Sequence, residues 1–465
     1  MAVLAQHIVG RELGPIVYYP PQELNRYMRS TRKHSPAQEA KLRSSLVQFG
    51  VVVPIPIDRD KRIIDGHALV DAAVAIKLSS VPTVMVDHLS DDQVRVLRLA
   101  LNRLGEQGEW DTEMLRTELL ELDELDLGFS LEITGWDAPE LDILMLPKSR
   151  DEGESEEIPE VERVAVSRLG DLWELGDHRL VCGSSLEAAI WTLLMQGEVA
   201  RMAFTDPPYN TAILGQVSGL GKVKHREFAM ASGEMTDEEF TAFLQRSLEL
   251  IANHVVDGGI IEMCMDWRGQ LQLLLAAKAA KLRQINLCVW AKTNSSMGSL
   301  FRSQHELIAV LKKGLKPHVN NVQLGKYGRN RTNLWTFAGA NAFGATRAGD
   351  LADHPTVKPT ALVAEAIRDV TKIGDIVVDP FIGSGSSILA AERTRRKCRG
   401  IELDPLYVDV ALRRWQEATG REARLAGSEK SFAEVASERL DDAQEDARAL
   451  VPPVIRKRFR RGEPA

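Results

Sequence analysis

The chain has 465 residues, with 58 Lys and Arg against 66 Asp and Glu, a formal net charge of -8. Hydrophobic residues make up 44% and charged residues 27%, the balance of a globular protein holding about three domains. No apolar run reaches the ~18 residues a membrane helix needs, and MAVLAQHIVGRELGP lacks the parts of a signal peptide. Cys182, Cys264, Cys288 and Cys398 are too scattered for a disulfide framework or a metal site, so a reducing cytoplasm is expected.

In chain order, the first hundred residues read as a compact α/β unit. Ser35, Pro36 and Gln38 supply an N-cap, a first-turn proline and a capping-box partner, and Gly50 ends that helix. VVVPIPI (51–57), RIID (62–65) and VPTVMV (81–86) read as strands, with a helix from about Ala68 to Leu78. Ser90 and Gln93 cap another helix, and 110–147 read as further helices. The domains expected are 1–105, a helical extension 106–150, an acidic linker 151–165, a large domain 166–426 and a charged tail 427–465. Residues 151–162 carry seven acids and no base, too charged to pack.

Beyond Val164 strands alternate with helices, which predicts a mostly parallel, doubly wound sheet. Strand candidates are 199–206, 258–265, 285–292, 305–311, 375–379 and 398–403. Thr236 and Glu239 form a capping box, and Pro359 stands where a first-turn proline belongs. Charge is unevenly spread: from Lys281 to Gly349 eleven Lys or Arg face Glu306 alone, and IRKRFRR (455–461) is basic. A surface suited to phosphates can therefore exist on an acidic chain.

Two motifs carry chemistry. Asp206-Pro207-Pro208-Tyr209 ends an apolar strand. An exocyclic base amine is a poor nucleophile because its lone pair is delocalised into the ring. A carboxylate at Asp206 and the rigid carbonyl of Pro207 could accept its two hydrogens and draw the lone pair out. Tyr209 offers a flat face for an extruded base. The bland alternative is a surface turn after a strand.

The second motif, Asp379-Pro380-Phe381-Ile382-Gly383-Ser384-Gly385, lies between a strand and a helix. Glycines there let backbone approach a ligand, and the helix N-terminus favours a carboxylate. Seventeen residues after Gly385, Glu402 ends the next strand, where an acid can accept from two ribose hydroxyls. The alternative is a structural glycine turn. Two such loops on one parallel sheet can face each other at the carboxyl ends of the strands.

Residues 166–419 resemble the DNA amino-methyltransferases of the β group, in which the catalytic motif precedes the cofactor motif. TDPPYN (205–210), DPFIGSG (379–385), GIELD (400–404) and HPTVKP (354–359) carry the resemblance, with RSQHELIAVLKKG (302–314) and NRTNLWTF (330–337). It implies a Rossmann-like fold, S-adenosyl-L-methionine as cofactor and double-stranded DNA as substrate, with a homodimer left open and a nucleoid-associated location. It implies Asp206, Pro207, Pro208 and Tyr209 as catalytic residues. Asp379, Phe381, Gly383, Gly385, Glu402, Thr356 and Lys358 are implied around the cofactor. Where the group has Gly-Asp this chain has Gly183-Ser184, so Ser184 can hydrogen-bond the cofactor but brings no charge. Residues 319–353 fall in the target-recognition position, with Lys326, Arg329 and Arg331 expected to contact DNA.

Residues 16–104 resemble the ParB-like N-terminal fold through 30–50 and 62–76. Gly66-His67-Ala68-Leu69 replaces the arginine-rich box of the CTP-hydrolysing partition proteins, which implies a binding or regulatory module. His67 is expected to be either a structural residue or a ligand contact. The resulting expectation is N6-adenine methylation by base flipping. N4-cytosine methylation is the chemical alternative, and a DNA-binding or partition accessory protein with an inactive methylase half is the alternative from another class. Asp206 favours adenine, because the cytosine enzymes more often carry Ser there.

Overall fold

A computed structural model describes residues 13–27, 34–104, 108, 110–125, 127–145, 159, 161–162, 164–211, 233–292, 301–322, 331–337 and 357–449. The chain forms two compact units, Met1–Pro147 and Lys148–Ala465.

In the first unit β1 (Val17–Tyr19), β2 (Ile55–Ile57) and β3 (Val81–Met85) form a sheet in the order β1-β3-β2. Helices α1 (Pro36–Phe49), α2 (His67–Ala75), α3 (Asp91–Leu104), α4 (Thr112–Glu124) and α5 (Ala138–Met145) accompany it. Ile55, Ile57, Ile63, Val70, Ala73 and Val81 make its core. Ser35 caps α1 by accepting from the Gln38 amide at 3.2 Å. The expected capping box stays open there, because the Gln38 side chain turns to His34 Nδ1 at 3.2 Å. Ser90 and Gln93 do close theirs. The strand expected over 51–57 shrinks to β2, since Val52 and Val53 are exposed and have no strand to pair with. RIID makes only isolated bridges, one of them from Ile63 to Ile57.

The second unit begins with β4 (Leu172–Leu175) and β5 (His178–Cys182), then α6 (Ala188–Met195) and β6 (Ala200–Thr205). There follow α7 (Asp237–His254), β7 (Val255–Met265), α8 (Gln270–Ala279), β8 (Leu282–Lys292), β9 (His305–Lys313) and β10 (Leu334–Phe337). The last elements are α9 (Thr360–Val370), β11 (Ile376–Asp379), α10 (Ser386–Thr394), β12 (Lys397–Glu402), α11 (Pro405–Thr419), β13 (Arg424–Leu425) and α12 (Phe432–Ala449). The strands form one sheet in the order β10-β8-β9-β7-β6-β11-β12-β5-β4-β13.

The central run β7-β6-β11-β12-β5 is parallel, as the strand–helix alternation predicts. Antiparallel β9 continues it on one side and antiparallel β4 on the other. Helices cover both faces. Leu244, Leu248 and Ile251 of α7 pack with Ala203 of β6. Leu362, Val363, Ala366 and Ile367 of α9 pack with Met202 and Phe204. Neighbours along β6 thus point to opposite cores, the period-two signature of a strand, and each fully buried Leu, Ile or Phe is worth roughly 1.5–3 kcal/mol. The Thr236–Glu239 capping box closes on α7. Pro359 proves to be the N-cap of α9 rather than its first helical residue.

This order creates the site. From β6 the chain steps outward to β7, and from β11 it steps the other way to β12. The carboxyl ends of β6 and β11 therefore meet where strand order reverses, the place where open parallel sheets gather ligands.

Candidate active site

The two sequence motifs emerge side by side from β6 and β11. Thr205 Oγ1 donates to Asp379 Oδ1 across 2.9 Å, joining the last residues of the two strands. Asp379 also accepts from the Phe381 amide at 3.1 Å and from Ser387 Oγ at 2.6 Å. Burial pushes its carboxyl up to about 6 against these donors. Both of its oxygens are thus engaged in shaping the glycine loop.

Gly383 (φ +53°) and Gly385 (φ +86°) occupy the left-handed region that glycine tolerates. At Gly385 a Cβ would meet Ala411 Cβ at 2.9 Å, so α11 leaves no room for a side chain. At Gly383 a Cβ would meet nothing within 4 Å, so open space borders the loop there. Glu402 accepts from the Gly383 amide and the Asp404 amide, each at 2.9 Å. Burial raises its carboxyl to about 7 against those bonds. Gly183 N donates to the Glu402 carbonyl at 2.8 Å, which sets Ser184 at the rim beside it. Ser184 Oγ accepts from the Leu186 amide at 3.3 Å. Phe381 is half-buried and tilted against Phe243, 5.8 Å between centroids. An acid ending a strand, a tight glycine turn and open space above it fit a ribonucleoside.

On the β6 side Asp206 is the hub. Lys358 Nζ lies 2.5 Å from Asp206 Oδ2 and 2.9 Å from Glu306 Oε2. Tyr209 donates its hydroxyl proton to Asp206 Oδ1 at 2.5 Å, with Glu306 Oε2 a second acceptor at 3.2 Å. Lys292 closes the cluster with an ion pair to Glu306. Burial, with help from Glu306, raises the Asp206 carboxyl in spite of Lys358. Burial would lift Glu306 too, but Lys358 and Lys292 override it and hold Glu306 down to about 2. The two carboxylates also hold the Lys358 ammonium well above its usual value despite burial. Pro207 is buried beneath the loop. Asn210 (φ +52°) pins the far end by donating to the Met235 carbonyl at 2.7 Å and accepting from the Gly233 and Met235 amides.

The structure therefore brings Asp206, Pro207, Tyr209, Lys358, Asp379, Gly383, Gly385 and Glu402 to one end of the sheet. Lys358, expected around the cofactor, sits on the Asp206 carboxylate. Glu306, Lys292 and Asn210 were missed as site residues. Their signal was present, since Glu306 is the only acid in a long basic segment and Asn210 follows the tetrapeptide. Arg331, expected to contact DNA, makes contacts within the protein. Its guanidinium pairs with Asp369 at 2.7 Å and Glu365 at 2.8 Å and lies 4.9 Å over Trp335, so its charge is engaged inside the protein. Thr356, Lys326 and Arg329 lie outside the described residues, as do most of 319–353, most of the acidic linker and the basic tail. His67, at the start of α2, is half-buried, and burial lowers its pKa. Among the described residues no group of three or more His, Cys, Asp or Glu side chains is placed to hold a metal ion, and no helix is long and apolar enough to cross a membrane.

The Asp206 loop and the glycine loop thus meet at the switch point of the α/β sheet. Residues 200–413 match the family described as DNA methylase of the N6/N4 type, and residues 113–169 match the ParB-methyltransferase HTH domain. The chain is 45% identical over 78 residues to the ParB-like nuclease domain-containing protein YnaK of Escherichia coli (strain K12), covering 17% of this chain and 90% of that protein. It is 27% identical over 228 residues to the type II methyltransferase M2.DpnII of Streptococcus pneumoniae, covering 47% and 84%. Among solved structures, the cytosine-N4-specific PvuII DNA methyltransferase aligns with TM-score 0.41 and 17% identity over 56% of this chain and 92% of that one. Residues 200–413 thus form a DNA methylase domain of the N6/N4 family, and the chain also carries a ParB-like domain. The helix-turn-helix match covers α4 and α5, which the sequence showed only as further helices.

Proposed function

We propose that this enzyme methylates N6 of adenine in a short DNA target, with the base extruded into the Asp206 loop. The observation that carries this reading is the Thr205–Asp379 hydrogen bond, which sets the amine-gripping loop directly beside the glycine loop. S-adenosyl-L-methionine supplies a methyl group already activated by a sulfonium. Glu402, the Gly383 backbone and Ser184 are the residues that would hold it, and an acid ending a strand beside a tight glycine turn fits its ribose. Asp206 and the Pro207 carbonyl orient the amine by accepting its two hydrogens, so that its lone pair points out of the ring plane. The ion pair with Lys358 favours the charged carboxylate of Asp206 and so opposes burial, which favours the neutral acid. Tyr209 presents its ring to the base. Positioning and electrostatics account for catalysis, with no covalent intermediate on the protein.

The carboxylate at Asp206 is what favours adenine over cytosine. Incubation with methyl-labelled S-adenosyl-L-methionine and unmethylated bacterial DNA, followed by digestion to nucleosides, tests the assignment. Label is expected in N6-methyladenine; label in N4-methylcytosine would reverse the choice of base.

A further inference from the structure

Both oxygens of Asp206 are engaged within the protein: Lys358 holds Oδ2 and the Tyr209 hydroxyl holds Oδ1. An arriving amine hydrogen needs one of them. Of the two occupants, the charged Lys358 is fixed by a second carboxylate, whereas Tyr209 carries a single proton that points to one acceptor at a time. That proton has two acceptors in reach, Asp206 Oδ1 at 2.5 Å and Glu306 Oε2 at 3.2 Å. Rotation about the phenolic C–O bond moves the hydrogen from one to the other with little movement of the ring. Glu306 is itself anchored on β9 by Lys292 and Lys358, so the second acceptor is fixed in place.

Resting on the methyltransferase reading, we propose that Tyr209 occupies the amine's place on Asp206 until the base arrives, and that Glu306 is the positioning residue that then takes over the Tyr209 hydroxyl. The hydroxyl keeps a charged acceptor in both states, so the site is never left with a buried polar group unpaired. Opening Asp206 becomes an exchange of one hydrogen bond for another. Without Glu306 the base would have to displace the hydroxyl from the one acceptor left to it among the described residues.

The test is a double-mutant cycle on the full chain, read as the single-turnover rate of methyl transfer and the KM for DNA. Glu306→Leu is expected to slow transfer by on the order of tenfold or more, the worth of one hydrogen bond to a charged group. In a Tyr209→Phe background, which has no hydroxyl to relocate, the same change should cost less than about threefold. Glu306→Gln, which keeps an acceptor oxygen in the same shape, should recover part of the rate lost in Glu306→Leu and guards against a folding defect, monitored by thermal melting. Equal losses in both backgrounds, or Gln as damaging as Leu, would show that Glu306 only holds Lys358 and would overturn the exchange. An unmutated enzyme that transfers no label to DNA would instead overturn the methyltransferase reading, and the exchange with it.

Discussion

Lys358 Nζ lies 2.5 Å from Asp206 Oδ2, although 152 residues separate the two in sequence. The contact ties the segment leading into α9 to the loop after β6. It opposes the rise that burial imposes on the Asp206 carboxyl.

Replacing Lys358 with Met should therefore act through pH. Burial and Glu306 already raise Asp206, and Lys358 is the first influence opposing them. Its removal raises Asp206 further, so the rising limb of the pH–rate profile moves to higher pH. A displacement of about one unit gives a ~10-fold loss on the acid side of that limb. Single-turnover rates across a pH series read this directly, and an unmoved limb would separate Lys358 from the state of Asp206.

Glu402→Ala should weaken binding of the methyl donor by about 10- to 100-fold, the scale of one or two hydrogen bonds to a charged acceptor. Equilibrium dialysis with labelled donor measures it. Because burial brings the Glu402 carboxyl to about 7, donor affinity of the unmutated protein should fall as pH drops through neutrality. The Ala variant should show a flatter dependence.

Glu262 offers a stability test away from the chemistry. It is buried at 3% exposure, with no hydrogen-bond partner for its Oε2 among the described residues, and burial raises its carboxyl to about 8. Its folded value lies above its unfolded one, so its contribution is fully present below the ordinary carboxylate range. That contribution is lost as pH rises through about 8. Glu262→Gln should accordingly melt higher than the unmutated protein at alkaline pH, by the equivalent of ~1–4 kcal/mol, with little gain near pH ~4. Thermal melts at the two pH values decide it.

Much of this site was legible because its chemistry is concentrated in short strand-to-loop motifs. Asp206-Pro207-Pro208-Tyr209 and the Gly383–Gly385 turn each follow an apolar strand, and the strand–helix alternation implies that such ends share one edge. What stayed hidden depends on pairing between distant segments. Glu306 reads as a lone acid among bases, and only the β7–β9–β8 antiparallel run brings it between Lys292 and Lys358. Arg331 reads as a DNA contact in the sequence, where nothing shows that Glu365 and Asp369 of α9 pair with it. Strands β4 and β5 escaped notice because each is only four or five residues long and the two pair across a two-residue turn. The over-long strand at 51–57 shows the reverse error, since apolar Val52 and Val53 suggest pairing that the unit does not provide.

In the proposed function the Asp206 carboxylate receives an amine hydrogen beside the donor loop. Asp206→Ala, assayed together for transfer of labelled methyl to DNA and for equilibrium binding of S-adenosyl-L-methionine, tests that most directly. Transfer should fall by at least ~100-fold while donor affinity stays within about threefold, a free-energy change below ~1 kcal/mol. Undiminished transfer by this variant would contradict the account.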